Sequence, residues 1–284
     1  MKSAAIISKP DKPELIRILP GLVAWLQSRQ YRVYLDKESA CYLPESEASL
    51  REEIAGLEPA FSVVLGGDGT LLSAARAVAT KGIPLMAVNL GSLGFLTEVP
   101  LSELYSTLEA VDAGRCPTET RTMLDCRLVR DGKCIAEFDA LNDAVVNKSA
   151  IARLVSIDLH IDGVFVSNYK ADGVIIATPT GSTAYSLAAG GPVVMPSVHG
   201  MVITPVCPHS LTHRPVVVHD TVEIEMICQS VEQDAYLSVD GQVGLPVVDG
   251  DRVLCRKSEH FVKFLRMRKT FFEVLRTKLK WGQR

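Results

Sequence analysis

Up to residue 117, short apolar runs alternate with helix-period segments; past it they do not. This break constrains the fold more than any one motif. In the first stretch, residues 4–7, 32–35, 61–65 and 84–88 read as strands. Between them Leu15, Ile16, Leu19, Leu22, Val23 and Leu26 recur at helical spacing, residues 71–79 form an Ala-rich helix, and Leu101, Leu104, Leu108 and Val111 mark another helical face. Near-uniformly apolar strands separated by helices specify a parallel sheet covered on both sides. After Cys116-Pro117 the chain turns to hairpins. Asp131-Gly132 and Asp162-Gly163 each join two strand-like runs. Residues 153–161 alternate, and further strands fall at 174–177, 201–205, 216–218, 222–227 and 236–239, with one helix near 184–189. A helix over 270–280 is expected to return to the first domain. The expected fold class is therefore α/β plus all-β, with domains over 1–117 (joined by 262–284) and 118–261. A Pro-marked junction without a flexible tether implies packed domains with a cleft between them.

Composition removes several classes of function. The 284 residues, 47% hydrophobic and 22% charged, suit one or two globular domains and exclude bulk disorder. No apolar run approaches the roughly 18 residues of a membrane helix, so no membrane partner is expected. Residues 1–8 stop at Lys9-Pro10-Asp11 and read as a first strand rather than an export signal. A net charge of −3 gives no reason to expect a nucleic acid partner. The seven cysteines are odd in number and show no C-x-x-C pair, which excludes a disulfide framework and a structural zinc site. No metal-ligating residues are identified, and a reducing cytoplasm is the expected compartment. From Arg252 to Arg284 there are eleven Lys/Arg and two acids, which read as a solvated helix face.

Gly66-Gly67-Asp68-Gly69-Thr70 lies directly after a strand and before a helix. Glycines there let a phosphate approach the backbone, and the helix start favours an anion, so Gly66, Gly67 and Thr70 are candidates for phosphate binding. A capped Asp-Gly turn is the bland alternative. Asn89-Leu90-Gly91-Ser92-Leu93-Gly94-Phe95 is a second glycine-bearing turn on the same sheet edge. Asn142-Asp143 adjoins an apolar run and offers the amide and carboxylate that suit a ribose diol; a loop turn is the competing reading. The densest segment runs from Lys170 and Asp172 through Thr178-Pro179-Thr180-Gly181-Ser182-Thr183 to Gly190-Gly191. Its hydroxyls suit phosphate or sugar oxygens, and a capped helix accounts for one of them. At strand alternation Lys170 and Asp172 share a face. Asp240-Gly241-Gln242 is a weaker turn motif.

In this order and approximate spacing, the glycine loop, Asn142-Asp143 and the Asp172-to-Gly191 segment resemble the NAD kinase family, and the resemblance extends down to Trp281. The glycine loop alone also occurs in diacylglycerol-kinase-like lipid kinases; Thr178-Pro179-Thr180-Gly181-Ser182-Thr183-Ala184-Tyr185-Ser186 is far more specific. The resemblance implies a Rossmann-like N-terminal domain, a β-sandwich-like C-terminal domain and a homo-oligomer, dimer or tetramer. It implies phosphoryl transfer from ATP to the 2′-hydroxyl of NAD's adenosine ribose, with Asp68 as catalytic proton acceptor and Mg²⁺ delivered on ATP. By the same resemblance Asp68, Gly69, Asn142, Asp143, Arg153, Lys170, Asp172, Thr183, Ala184, Tyr185, Ser186, Leu187, Ala188 and Gln242 bind NAD. Asp143 stands where the family usually has Glu, and Lys170 where many bacterial relatives have Arg. The rivals are a lipid kinase, a non-catalytic NAD-binding regulator and a protein whose glycine loops are structural. An intact Asp68 speaks against the regulator.

Overall fold

The computed structural model describes residues 2–43, 46–91, 94–148, 154–229, 235–266 and 270–281. The chain divides into two compact units, Met1–Thr120 with Phe261–Arg284, and Arg121–His260.

The first unit begins with β1 (Lys2–Ser8), α1 (Leu15–Ser28), β2 (Tyr31–Asp36), α2 (Lys37–Ala40) and β3 (Ala48–Ser49). It continues with β4 (Phe61–Gly66), α3 (Asp68–Val78), β5 (Leu85–Asn89), β6 (Val99–Pro100) and α4 (Leu104–Asp112). The strands pair in parallel in the order β5-β4-β1-β2-β3. Ala4, Ala5, Ile6 and Ile7 are all fully buried, as the unbroken apolar run requires of a strand covered on both faces. Leu15, Leu19, Leu22 and Leu26 form the inward stripe of α1. The chain leaves β1 for β2 on one side and returns to β4 on the other. The β1/β4 boundary is thus a switch point, the place where open parallel sheets bind ligands beyond their strand ends.

β7 (Thr118–Arg130) carries the chain into the second unit. There follow β8 (Lys133–Ala140), β9 (Asp143–Lys148), β10 (Val155–Ile161), β11 (Val164–Ala171), β12 (Gly173–Ala177), α5 (Tyr185–Ala188) and β13 (Gly200–Val206). The unit continues with β14 (Val216–His219), β15 (Ile224–Gln229), β16 (Ala235–Val239) and β17 (Val243–Val247). One sheet is antiparallel in the order β14-β13-β12-β9-β16-β17, and β11-β10-β15 belong to a second. Between the two lies a shared core that includes Leu124, Val146, Ile157, Val174, Ile203, Met226 and Leu237. The unit is a β-sandwich. The Asp-Gly turns at 131–132, 162–163 and 240–241 all have positive φ at both residues, the geometry that two-residue hairpins favour.

β18 (Arg252–Leu265) begins in the second unit beside β15, and its end adds to the first unit, where Phe264 pairs in parallel with Leu85. α6 (Phe271–Leu279) follows. The charge-rich stretch expected as a helix face therefore begins as a 14-residue strand, and Phe271–Leu279 within it is helix. Val253 and Cys255, and farther along Val262 and Phe264, are buried at period two, with the parity changing between the two pairs, and Arg252, Arg256 and Lys257 are exposed. The many cations obscured that alternation. All seven cysteines are free thiols. Among the described residues no helix is long and apolar enough to cross a membrane.

Candidate functional site

In the first unit the glycine loop links β4 to α3. Gly67 is the residue before the helix, and Asp68 opens its first turn. A carboxylate there meets the positive end of the helix dipole. Asp68 also holds the second glycine-bearing turn. Its Oδ1 accepts from Leu96 N (3.3 Å), Thr97 N (3.0 Å) and Thr97 Oγ1 (2.9 Å), and its Oδ2 accepts from Phe95 N at 2.9 Å. Gly94 makes this approach possible, because a Cβ there would sit 1.9 Å from Asp68 Oδ1. Asn89 braces the same turn, accepting from Gly91 N at 2.6 Å and donating to Thr97 Oγ1 at 3.3 Å. Gly66 and Gly67 differ in what they do. A Cβ on Gly66 would strike Thr70 Oγ1 at 2.4 Å, so that glycine and Thr70 are fitted to each other; a Cβ on Gly67 would meet open space. Only Gly67 leaves the room that an approaching phosphate needs. Gly69 follows Asp68 within the first turn of α3. A cavity of about 400 Å³ on the same sheet edge is lined by Asn89, Leu90, Gly91, Pro100, Leu101 and Ser102.

In the second unit Asn142 and Asp143 sit where β8 passes into β9. Both are buried, and among the described residues Asn142 Oδ1 has no partner. A buried amide oxygen left unbonded is costly unless a ligand donates to it. The segment after β12 packs directly on this pair. Thr178 Oγ1 donates to Leu141 O at 2.6 Å, Thr178 N donates to Asn142 O at 2.9 Å, and a Cβ on Gly181 would lie 2.0 Å from Asn142 O. The hydroxyls read as ligand contacts are spent within the protein. Ser182 bonds Pro179 O, Thr183 bonds Thr180 O, and fully buried Ser186 bonds Thr204 Oγ1. They build the turn. Ala184, Tyr185, Leu187 and Ala188 keep some exposure, and Tyr185 is 41% exposed.

The electrostatics tie these groups together. Burial, and the charge of Asp240, push the Asp143 carboxyl up to about 7. Burial also raises the Tyr185 hydroxyl, with further contributions from Cys207, Asp172 and Asp143. Asp172 pairs with Lys148 at 2.6 Å. Lys170 is exposed on β11. The expectation that Lys170 and Asp172 share a face is overturned. Asp172 stands at a bend where the chain leaves the β10–β11 sheet for the β12 sheet, and strand alternation does not carry across it. Gln242 N closes the β16–β17 turn by donating to Val239 O at 3.0 Å. Arg153 lies outside the described residues.

Two further residues shape this site, Asp240 of the weaker turn motif and Arg121, which the sequence does not mark. Asp240 accepts from the backbone N–H of Leu141 (3.1 Å), Asn142 (2.7 Å) and Asp143 (3.2 Å), and so shapes the candidate ribose-binding pair. Its Asp-Gly turn was visible; its distant target was not. Arg121, 4% exposed and lowered to about 10 by burial, donates to Thr180 Oγ1 at 3.3 Å, and nothing local in the sequence marks it. Among the described residues no group of three or more His, Cys, Asp or Glu is placed to hold a metal ion. Asp68 itself is taken up by protein donors.

The family model for the ATP-NAD kinase N-terminal domain matches residues 4–116, and that for the ATP-NAD kinase C-terminal domain matches residues 141–267. The chain is 62% identical to the NAD kinase of Koribacter versatilis and 49% identical to that of Acidobacterium capsulatum, over the full length of both chains in each case. Among solved structures it is similar to yeast NADH kinase complexed with NADH, with a TM-score of 0.89, 27% identity, and coverage of 100% of this chain and 89% of that one. It is also similar to an Archaeoglobus fulgidus NAD kinase in complex with ATP, with a TM-score of 0.76, 27% identity, and coverage of 98% and 97%. Sequence over the whole length and fold in both units agree with the glycine loop and the buried Asn-Asp pair, and the chain belongs to the ATP-NAD kinase family.

Proposed function

We propose that this chain transfers the γ-phosphoryl group of ATP to the 2′-hydroxyl of the adenosine ribose of NAD, giving NADP. The observation that carries the reading is the Asp68 carboxylate, fixed by four hydrogen bonds at the first turn of α3, beside an open Gly67. Gly67 serves the donor phosphates directly, and Gly66 and Thr70, fitted to each other, hold the loop's shape beside it. The divalent ion, Mg²⁺, arrives on ATP and neutralises phosphate charge. The bond from the ribose 2′-oxygen to phosphorus forms as the bond from phosphorus to the ADP oxygen breaks. The hydroxyl proton passes to Asp68. Among the described residues Oδ1 accepts three hydrogen bonds and Oδ2 one, so Oδ2 is the atom with room for that proton. A carboxylate is a weak base, yet a loose transition state needs little deprotonation early, so Asp68 first orients the hydroxyl and takes its proton late.

Dinucleotide recognition is assigned to Gly69, Asn142, Asp143, Arg153, Lys170, Asp172, Tyr185, Gln242 and the Thr183–Ala184 and Ser186–Ala188 backbone. The unbonded Asn142 Oδ1 supports this, since a nucleotide N–H or a ribose hydroxyl would satisfy it. The domains are taken as 1–117 with 262–284, and 118–261. The working form is a homo-oligomer, dimer or tetramer, in the cytoplasm, an environment suited to seven free thiols.

The test is incubation with ATP, Mg²⁺ and NAD, with NADP read by an NADP-specific dehydrogenase and diacylglycerol phosphorylation followed in parallel. Asp68→Asn keeps the side chain's shape and should lower kcat by roughly 100-fold or more while NAD binding is retained. Near-wild-type turnover in that variant removes Asp68 from the mechanism. Phosphorylated diacylglycerol without NADP transfers the assignment to the lipid kinases.

A further inference from the structure

Residues 94–98 are held from two sides. On one side Phe95, Leu96 and Thr97 place backbone N–H groups on Asp68. On the other side stand two cations that come much later in the chain. Arg266 pairs with Glu98, with Nε to Oε2 at 2.9 Å, and also with Glu119. Lys278 of α6 lies with its ammonium 5.6 Å from the centre of the Phe95 ring, within the range of a cation–π contact. α6 is a fixed platform for it. Thr270 and Glu273 cap the helix reciprocally, and Val274 and Leu275 are buried.

We propose that Lys278, supported by Arg266, is a positioning residue for Asp68: it fixes the Phe95 peptide, whose N–H aims Oδ2 at the hydroxyl to be phosphorylated. The inference rests on the reading of Asp68 as proton acceptor. The asymmetry of the carboxylate's bonds makes the link specific. Among the described residues Oδ1 is anchored three times, through Leu96 and Thr97, whereas Oδ2 is directed by Phe95 alone. Freeing Phe95 leaves the carboxylate in place but lets Oδ2 turn. A loss of that kind appears in the chemical step, where small misplacements are costly, and spares substrate binding.

The experiment uses the full-length chain and compares Lys278→Met, which keeps most of the stem and drops the charge, with Lys278→Arg, which keeps the cation. Each is made in the wild type and in Asp68→Asn. Lys278→Met should lower kcat about five- to tenfold, the scale of one cation–π contact, with the KM for NAD within about twofold. Amide hydrogen exchange at Phe95 should quicken while Thr97 stays protected, and Lys278→Arg should restore both readouts. In the Asp68→Asn background Lys278→Met should cost nothing further. Phe95→Leu serves as a second route: the same kcat loss is expected, not additive with Lys278→Met. Wild-type kcat in Lys278→Met, failure of rescue by Arg, or an equal fractional loss in Asp68→Asn overturns the proposal. If Asp68→Asn alone keeps full turnover, the reading of Asp68 fails instead, and exchange at Phe95 still decides whether Lys278 holds the loop.

Discussion

Asp143 is a carboxyl whose surroundings disfavour its charge. It is 4% exposed and close to Asp240, and its proton is held to about pH 7. An unfolded chain releases the same proton near pH 4. Between those values the folded state binds more protons than the unfolded one, so stability falls as pH rises through the window and levels off above it. The contribution is fully present below about pH 4 and gone above about pH 7. Denaturant melts at pH 5 and pH 8 should show the wild type losing roughly 2–3 kcal/mol more than Asp143→Asn across that interval. Matching pH profiles in the two proteins would mean that Asp143 ionises freely. Asp143 thus sits as a neutral acid over part of the working range and can donate a hydrogen bond as well as accept one.

The elements show how a turn acts at a distance. The β16–β17 turn places Asp240 at φ +51°, and its carboxylate gathers three N–H groups at the start of β9. Asp240→Asn tolerates the left-handed backbone but has a single acceptor oxygen for that task. It should cost about 1.5–3 kcal/mol of stability, the scale of hydrogen bonds to a charged group, and weaken NAD binding in a calorimetric titration. It should also move the Asp143 midpoint down, because a repelling charge is gone. Unchanged stability would make the clamp incidental. This element also shows the limits of legibility. The strand, loop and helix around Asp68 were readable because the signals are local: an apolar run, glycines, then an Ala-rich helix. A hydroxyl in sequence does not state its partner, and in the structure those of Ser182, Thr183 and Ser186 all bond within the protein. Lys170 and Asp172 were given one face because the bend between β11 and β12 falls on Asp172 itself, without a glycine or proline at that position.

At the scale of the molecule each unit carries its own core, one built on Ile6, Leu22, Val63 and Met86, the other on Ile157, Val174 and Leu237. Thiols report on both without disturbing either. Cys41, Cys134 and Cys207 are exposed, Cys116 is half-buried, and Cys126, Cys228 and Cys255 are buried. Burial pushes the Cys228 thiol up to about 12, and a hydrogen bond with Cys126, together with burial, raises Cys255 well above its ordinary value, which keeps both inert as nucleophiles. An aromatic disulfide reagent should therefore leave Cys126, Cys228 and Cys255 unmodified in the native protein. Without reductant, it should titrate seven thiols once the chain is unfolded. Mass spectrometry of the labelled peptides checks both statements. Native labelling of any buried cysteine, or fewer than seven in denaturant, would contradict the cores described.

The pairing of Phe264 with Leu85 sets a schedule for biosynthesis. A ribosome adds about 5–20 residues per second, so β5 waits on the order of 10–40 s for the strand that lies beside it. During that interval the part of its edge that β6 leaves uncovered is open to wrong partners. The loop around Asp68 also lacks Arg266 and Lys278 until they are made. A nascent chain thus displays its glycine loop before the residues that brace it exist, and full-rate phosphoryl transfer waits until translation has passed Lys278.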